Sequence, residues 1–160
     1  HYAKNHEYLL EVFAEIAGRQ DNAVLLLLGE GERMAEMKQR AEMLDIADKT
    51  IFAGNQKETW KYYQAMDFFV FPSRFEGLPG TVIEAQSAGL SCLISDTIAK
   101  ETVITELTAC KSIAESPVKW AEYVLANREY ERTDRYEQIV AADFDVRTQA
   151  KWYEQFYLNA

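Results

Sequence analysis

Asp67-Phe-Phe-Val-Phe-Pro-Ser-Arg-Phe-Glu-Gly-Leu-Pro-Gly-Thr-Val-Ile-Glu-Ala-Gln-Ser-Ala-Gly-Leu-Ser-Cys-Leu-Ile-Ser-Asp96 decides the fold. Phe68–Phe71 is an apolar run of strand length, Pro72–Gly80 a loop punctuated by proline and glycine, Thr81–Ala88 a helix, and Ser91–Ile94 a second apolar strand. Strands without polar alternation are covered on both faces, as in a parallel sheet. A strand, a helix and a strand make one βαβ unit, and its long loop lies at the strand end where open parallel sheets bind ligands. Two carboxylates, Glu76 and Glu84, bracket the loop with seven residues between them.

The same alternation runs outward from this unit. Upstream, Asn5 can cap a helix with Leu9, Leu10, Val12, Phe13 and Ile16 at helical spacing. Ala23–Leu28 is a buried strand ending at Gly29-Glu30-Gly31, followed by a helix over Glu32–Leu44. Thr50–Ala53 is a third strand, ending at Gly54-Asn55, and Lys57–Ala65 a helix with Trp60, Tyr63 and Met66 as core candidates. Downstream, Thr102–Ile104 and Lys111–Ala114 each suit a short strand. Ser116-Pro117 starts a helix carrying Trp120, Val124 and Leu125 on one side. From Arg128 onward the pattern is helical and aromatic, which suits core or an interface. The order implies an α/β fold: a Rossmann-like, doubly wound parallel sheet with helices on both faces and a helical C-terminal tail. Residues 1–160 read as a single domain. The first helix has no strand before it and the chain begins at His1 without methionine, so we expect a piece of a larger protein whose preceding part supplies that strand.

The 48% apolar and 27% charged composition is that of an ordinary globular domain, and a net charge of −9 argues against a nucleic-acid binder, which needs a basic face. No apolar run approaches the roughly 18 residues of a spanning helix. Two cysteines, Cys92 and Cys110, are too few for a disulfide framework and read as reduced, which favours a cytoplasmic location. His1 and His6 lack companions at metal-ligand spacing, so no metal is expected. Ser73 is not in a nucleophile elbow, so a hydrolase triad has no support.

Three strands end alike, at Gly29-Glu30-Gly31, Gly54-Asn55 and Pro72-Ser73, so three loops converge on one sheet edge. Glycine lets a ligand approach the backbone, and the following helix N-termini favour phosphate. Alone, Gly29-Glu30-Gly31 is the turn any βα unit needs. Glu84, about one turn into its helix, can accept from the paired hydroxyls of a ribose, and Glu76 from a second sugar. Either glutamate alone also fits a solvated or helix-dipole residue. Lys4, just before the first helix, could neutralise a phosphate.

Val70-Phe71-Pro72-Ser73, Glu76-Gly77-Leu78-Pro79, Ile83-Glu84-Ala85-Gln86, Ala88-Gly89-Leu90 and Ser95-Asp96 together resemble the group 1 (family four) retaining glycosyltransferases of the GT-B fold. Lys4-Asn5-His6, Gly29-Glu30-Gly31, Phe52-Ala53-Gly54 and Tyr63–Asp67 fall where that family has corresponding motifs. The resemblance is good over Lys4–Asp96 and looser beyond. It implies the C-terminal, donor-binding domain of a two-domain enzyme that moves a hexosyl unit from a nucleotide-diphosphate sugar, UDP- or GDP-linked, to an acceptor with retention. Surface polysaccharide synthesis is the implied setting, with a peripheral place at a membrane for the full-length protein. Glu84 would then hold the ribose, Glu76 the donor sugar, and Lys4 the diphosphate, with Lys4 and Glu76 catalytic. Gly77, Leu78, Gly80 and Thr81 would line the diphosphate or sugar, Gly54, Asn55 and Gln56 the base, and Gly29, Gly31 and Ser73 the rest of the donor site. The N-terminal acceptor domain is the implied partner, and no cofactor is implied. The alternatives are a Rossmann-like interaction module with a vestigial site and an aromatic docking tail, or an epimerase or phosphorylase of the same architecture. Ser91 stands where the family commonly has proline, which should alter only the turn.

Overall fold

Apolar strand runs and amphipathic stretches alternate through residues 1–159, the residues described by the computed structural model. In order they are α1 (His6–Ala17), β1 (Leu25–Leu27), α2 (Met34–Met43), β2 (Thr50–Phe52), α3 (Thr59–Ala65) and β3 (Phe68–Phe71), then α4 (Gly80–Ser87), β4 (Ser91–Ser95), β5 (Thr108–Lys111), α5 (Pro117–Ala126), α6 (Tyr136–Ala141) and α7 (Val146–Leu158). All strand pairs are parallel: Leu25 lies opposite Thr50, Phe68 opposite Ser91, and Cys92 opposite Thr108.

β4 shows why this sequence winds helices on both faces. Every one of its residues is buried, and alternate side chains enter different cores. Cys92 and Ile94 pack with Tyr63, Val82, Ala85 and Leu90 of the α3–α4 layer. Leu93 points the other way, onto Val12 of α1 and Trp120 and Ala121 of α5. Trp120 is fully buried, and its indole N–H donates to the Ser112 carbonyl at 3.0 Å, so its polar atom carries no desolvation cost. Burial pushes the Cys92 thiol up to about 12, leaving it a packing residue.

The expected single sheet is divided. β1 pairs only with β2, and β3 heads a separate sheet ordered β3-β4-β5. Between β1 and β3 runs a groove of about 990 Å³, lined by both strands and floored by Val12 and Phe13 of α1. The residues of β1 and β3 are therefore only partly buried although their sequences are continuously apolar. The short 3-10 turn Tyr2–Lys4 ahead of α1 is tied to the end of β3, where the Arg74 N–H donates to the Ala3 carbonyl at 2.7 Å.

Three other expectations are corrected. Thr102–Ile104 is not a strand: Lys100–Thr102 is a 3-10 turn, and the last strand is Thr108–Lys111, upstream of the expected Lys111–Ala114. Trp60 is 60% exposed rather than core, because the short α3 turns Tyr63 inward instead. Of the two readings of the aromatic tail, core or an interface, the core one is set aside: Trp152, Tyr153, Phe156 and Tyr157 of α7 are exposed and stack on one another instead of on the domain. Ahead of the tail, residues 130–133 form a strap. The Tyr130 hydroxyl bridges the Asp67 carbonyl and the Ser91 N–H, each at 3.0 Å, while the Arg132 guanidinium donates at 2.8 Å to the carbonyls of Tyr63, Met66 and Ala88. Gly89, at φ +72°, lies under this strap; a Cβ there would sit 2.4 Å from the Thr133 carbonyl oxygen.

Candidate functional site

The loops that follow β1 and β2 are joined by glycine. Gly29, at φ +106°, donates its N–H to the carbonyl of Gly54, itself at φ +65°, at 2.7 Å. Residues with a Cβ adopt such backbone poorly. Beside them the Asn55 amide donates to a Glu30 carboxylate oxygen at 3.3 Å, and the Gln56 amide to the Ala53 carbonyl at 2.6 Å.

Across the groove, the loop after β3 holds the charged groups. Lys4 Nζ lies 2.7 Å from Glu76 Oε1 and 4.9 Å from the centre of the Phe71 ring. The two residues assigned separate roles from sequence are thus one partly buried ion pair at the mouth of the groove, with Lys4 the more exposed partner. Lys4 is delivered there by Asn5, which occupies the N-cap of α1 at φ 54°. Its side chain makes no cap; the amide instead donates to the Pro72 carbonyl at 3.1 Å and is buried there. α1 is thereby pinned to the start of the loop.

Glu84 stands on the first turn and a half of α4, a helix with no side-chain cap. The Tyr63 hydroxyl donates to Glu84 Oε2 at 3.1 Å. Tyr63 is 4% exposed and meets the Phe69 ring edge-on. Burial first, and then the Glu84 charge, push its phenol well above the usual range, so it is always the donor. Gly77, Leu78, Gly80 and Thr81 are exposed along the loop and helix start. A Cβ on Gly77 or Gly80 would meet nothing within 4 Å, so this face of the loop is open. Ser73 is fully buried with an unpartnered hydroxyl, and its carbonyl accepts from Thr97 Oγ1 at 3.0 Å. It supports the loop from inside rather than lining it.

Lys4, Gly29, Gly31 and Thr81 border the same groove. Glu76 joins it through Lys4, Glu84 through Tyr63, and Asn55 through Glu30. Two further groups stand at its mouth: Arg33, which sequence reasoning did not single out, and His6, which it placed in a motif without giving it a role. Arg33, just after Gly31, pairs with Glu7 and Glu36, and these carboxylates hold its guanidinium firmly protonated. His6 is held below its usual range by burial and then by surrounding positive charge, including Lys4 and Arg33, so its imidazole is neutral. Lys4 and Arg33 with an open helix start can receive an anion; two spaced carboxylates can accept from hydroxyls. Among the described residues no group of three His, Cys, Asp or Glu is placed to hold a metal ion, and no helix is long and apolar enough to cross a membrane.

Comparison with known proteins gives the family. The family "Glycosyl transferases group 1" matches residues 1–138. The putative glycosyltransferase EpsF of Bacillus subtilis is 33% identical over 129 residues, covering 78% of this chain and 33% of that protein. The alpha-monoglucosyldiacylglycerol synthase of Streptococcus pneumoniae is 28% identical over 171 residues, covering 99% of this chain and 37% of that protein. The chain thus spans about a third of the length of these relatives. Among solved structures, Anabaena Alr3699/HepE in complex with UDP superposes with a TM-score of 0.79 at 15% identity, over 99% of this chain and 46% of that one. The shared fold is Rossmann-like, of the GT-B type. With its glycine-joined loops, its glutamates on either side of the open loop and its match along residues 1–138, the chain belongs to the group 1 glycosyltransferases.

Proposed function

We propose that this chain is the donor-binding domain of a cytoplasmic glycosyltransferase that moves a hexosyl unit, with retention, from a UDP- or GDP-linked sugar to an acceptor used in surface polysaccharide or glycolipid synthesis. The Lys4–Glu76 pair at 2.7 Å is the observation that carries this reading. It sets a cation for the diphosphate directly beside a carboxylate for the sugar, at the open start of α4. When a donor enters, Lys4 exchanges part of its contact with Glu76 for the diphosphate. Glu76 is then free to accept from sugar hydroxyls, and Glu84 accepts from the ribose. Breaking the sugar–phosphate bond leaves charge on the diphosphate. Lys4 and the backbone N–H groups of Gly77, Leu78, Gly80 and Thr81 stabilise it, and catalysis comes from positioning and this electrostatic support. The acceptor is supplied by a second domain, so residues 1–160 alone bind donor weakly and do not turn it over. The UDP found with the Anabaena relative supports a nucleotide ligand.

The exposed aromatic side chains of α7 favour a second reading, in which the domain serves to dock a partner. Calorimetric titration with UDP and with GDP, wild type beside Glu84→Gln, separates the two. The donor reading expects one nucleotide to bind and the substitution to weaken it by roughly tenfold or more, since a hydrogen bond to a charged group is worth about 1.5–3 kcal/mol. A correctly folded protein that binds neither nucleotide sinks it.

A further inference from the structure

We propose that Tyr63 is a positioning residue: its hydroxyl tethers the Glu84 carboxylate so that the free oxygen is presented to the ribose, and this inference rests on the donor reading above. Glu84 is exposed on α4. An exposed glutamate samples several rotamers, and freezing such a side chain on binding weakens affinity by roughly 2- to 12-fold. Here one oxygen already accepts from Tyr63 at 3.1 Å. The donor is immobile for reasons that can be named. The Tyr63 ring is buried among Val82, Leu90 and Cys92, its edge meets Phe69 with ring centres 6.0 Å apart, and its own carbonyl accepts from Arg132 at 2.8 Å. A buried phenol linked to the strap at its backbone thus holds an exposed carboxylate by its tip. The tether spans 21 residues of sequence and involves no loop residue, so the carboxylate is set before the ligand arrives. Ligand binding then does not have to order it.

A merely structural tyrosine and a positioning one differ in what they do to ribose discrimination. The test is calorimetry with UDP and 2′,3′-dideoxy-UDP, and the corresponding guanosine pair, on wild type, Tyr63→Phe, Glu84→Gln and Arg132→Lys. The wild type should prefer the ribonucleotide. Tyr63→Phe should weaken the ribonucleotide by roughly tenfold while leaving the dideoxy form unchanged. Arg132→Lys loosens the packing around Tyr63 without touching its hydroxyl, and should lower the melting temperature but keep the discrimination ratio. A Tyr63→Phe protein that retains the wild-type ratio, or that loses both ligands equally, overturns the positioning role. A wild type without ribose preference, or one whose preference survives Glu84→Gln, overturns the ribose assignment of Glu84 itself and is recognisable as that separate failure.

Discussion

Replacing Gln86 with leucine should unfold this domain far more readily than its conservative shape suggests. Gln86 is fully buried on α4, two residues beyond Glu84. Its amide donates to the Thr102 carbonyl at 2.7 Å, and its oxygen accepts from the N–H groups of Ile104 and Thr105, both at 2.9 Å. One side chain therefore satisfies three backbone groups at the end of the Lys100–Thr102 3-10 turn and in the irregular segment after it. Leucine fills the volume and leaves all three unpaired, two of them on the buried residues Thr102 and Thr105. At about 1–3 kcal/mol for each buried group left without a partner, and less for the half-buried Ile104, the loss is about 3–6 kcal/mol. That is a large share of the 5–15 kcal/mol typical of a domain. At roughly 2–4 °C per kcal/mol for this size, the melting temperature should fall by roughly 6–24 °C. Circular dichroism melts and urea titrations of the two proteins measure it. A Gln86→Leu protein within about 0.5 kcal/mol of wild type, the scatter of an ordinary surface substitution, would mean that residues 102–105 find other partners and that this amide does not anchor α4.

Lys4→Ala should lower turnover of the full-length enzyme by about 10²–10³, the usual loss on removing one group that stabilises transition-state charge; steady-state release of nucleotide diphosphate measures it. His6 is held below the ordinary imidazole value of 6.5, so the unfolded chain binds more protons, and stability should fall as pH drops through about 6.5. In urea midpoints between pH 5 and 8, His6→Gln should remove that slope. β4 is paired on both sides, whereas β1 and β3 each border the groove on one side. Backbone amides of Leu25–Leu27 and Phe68–Phe71 should therefore exchange hydrogen faster than those of Ser91–Ser95, and equal protection would show that the groove edges are covered.

What could be read before folding follows the reach of the interactions. The β3–α4–β4 unit was legible because apolar strands, proline and glycine punctuation and helical spacing are all local. β5 was misplaced because Thr108–Lys111 is short and contains no apolar run. Trp60 was misjudged, and the α7 aromatics were left open between core and interface, for a related reason: helical spacing shows that a face is apolar, not what covers it. The Lys4–Glu76 pair, the Tyr63–Glu84 tether and the Arg132 strap join positions 72, 21 and 69 residues apart. Two end on single carboxylates and one on backbone carbonyls, neither of which marks its partner in the sequence. The candidate residues could therefore be named from sequence, but their mutual contacts could not. The division of the sheet came from the groove itself, since two continuous apolar strands with open facing edges look the same in sequence as paired ones.

The most direct measurement is a crystal structure of the protein with UDP or GDP bound. The ribose hydroxyls should lie within about 3 Å of Glu84, and the diphosphate should contact Lys4 Nζ at the start of α4. A nucleotide ordered elsewhere, or one bound with Glu84 and Lys4 untouched, would contradict the assignment.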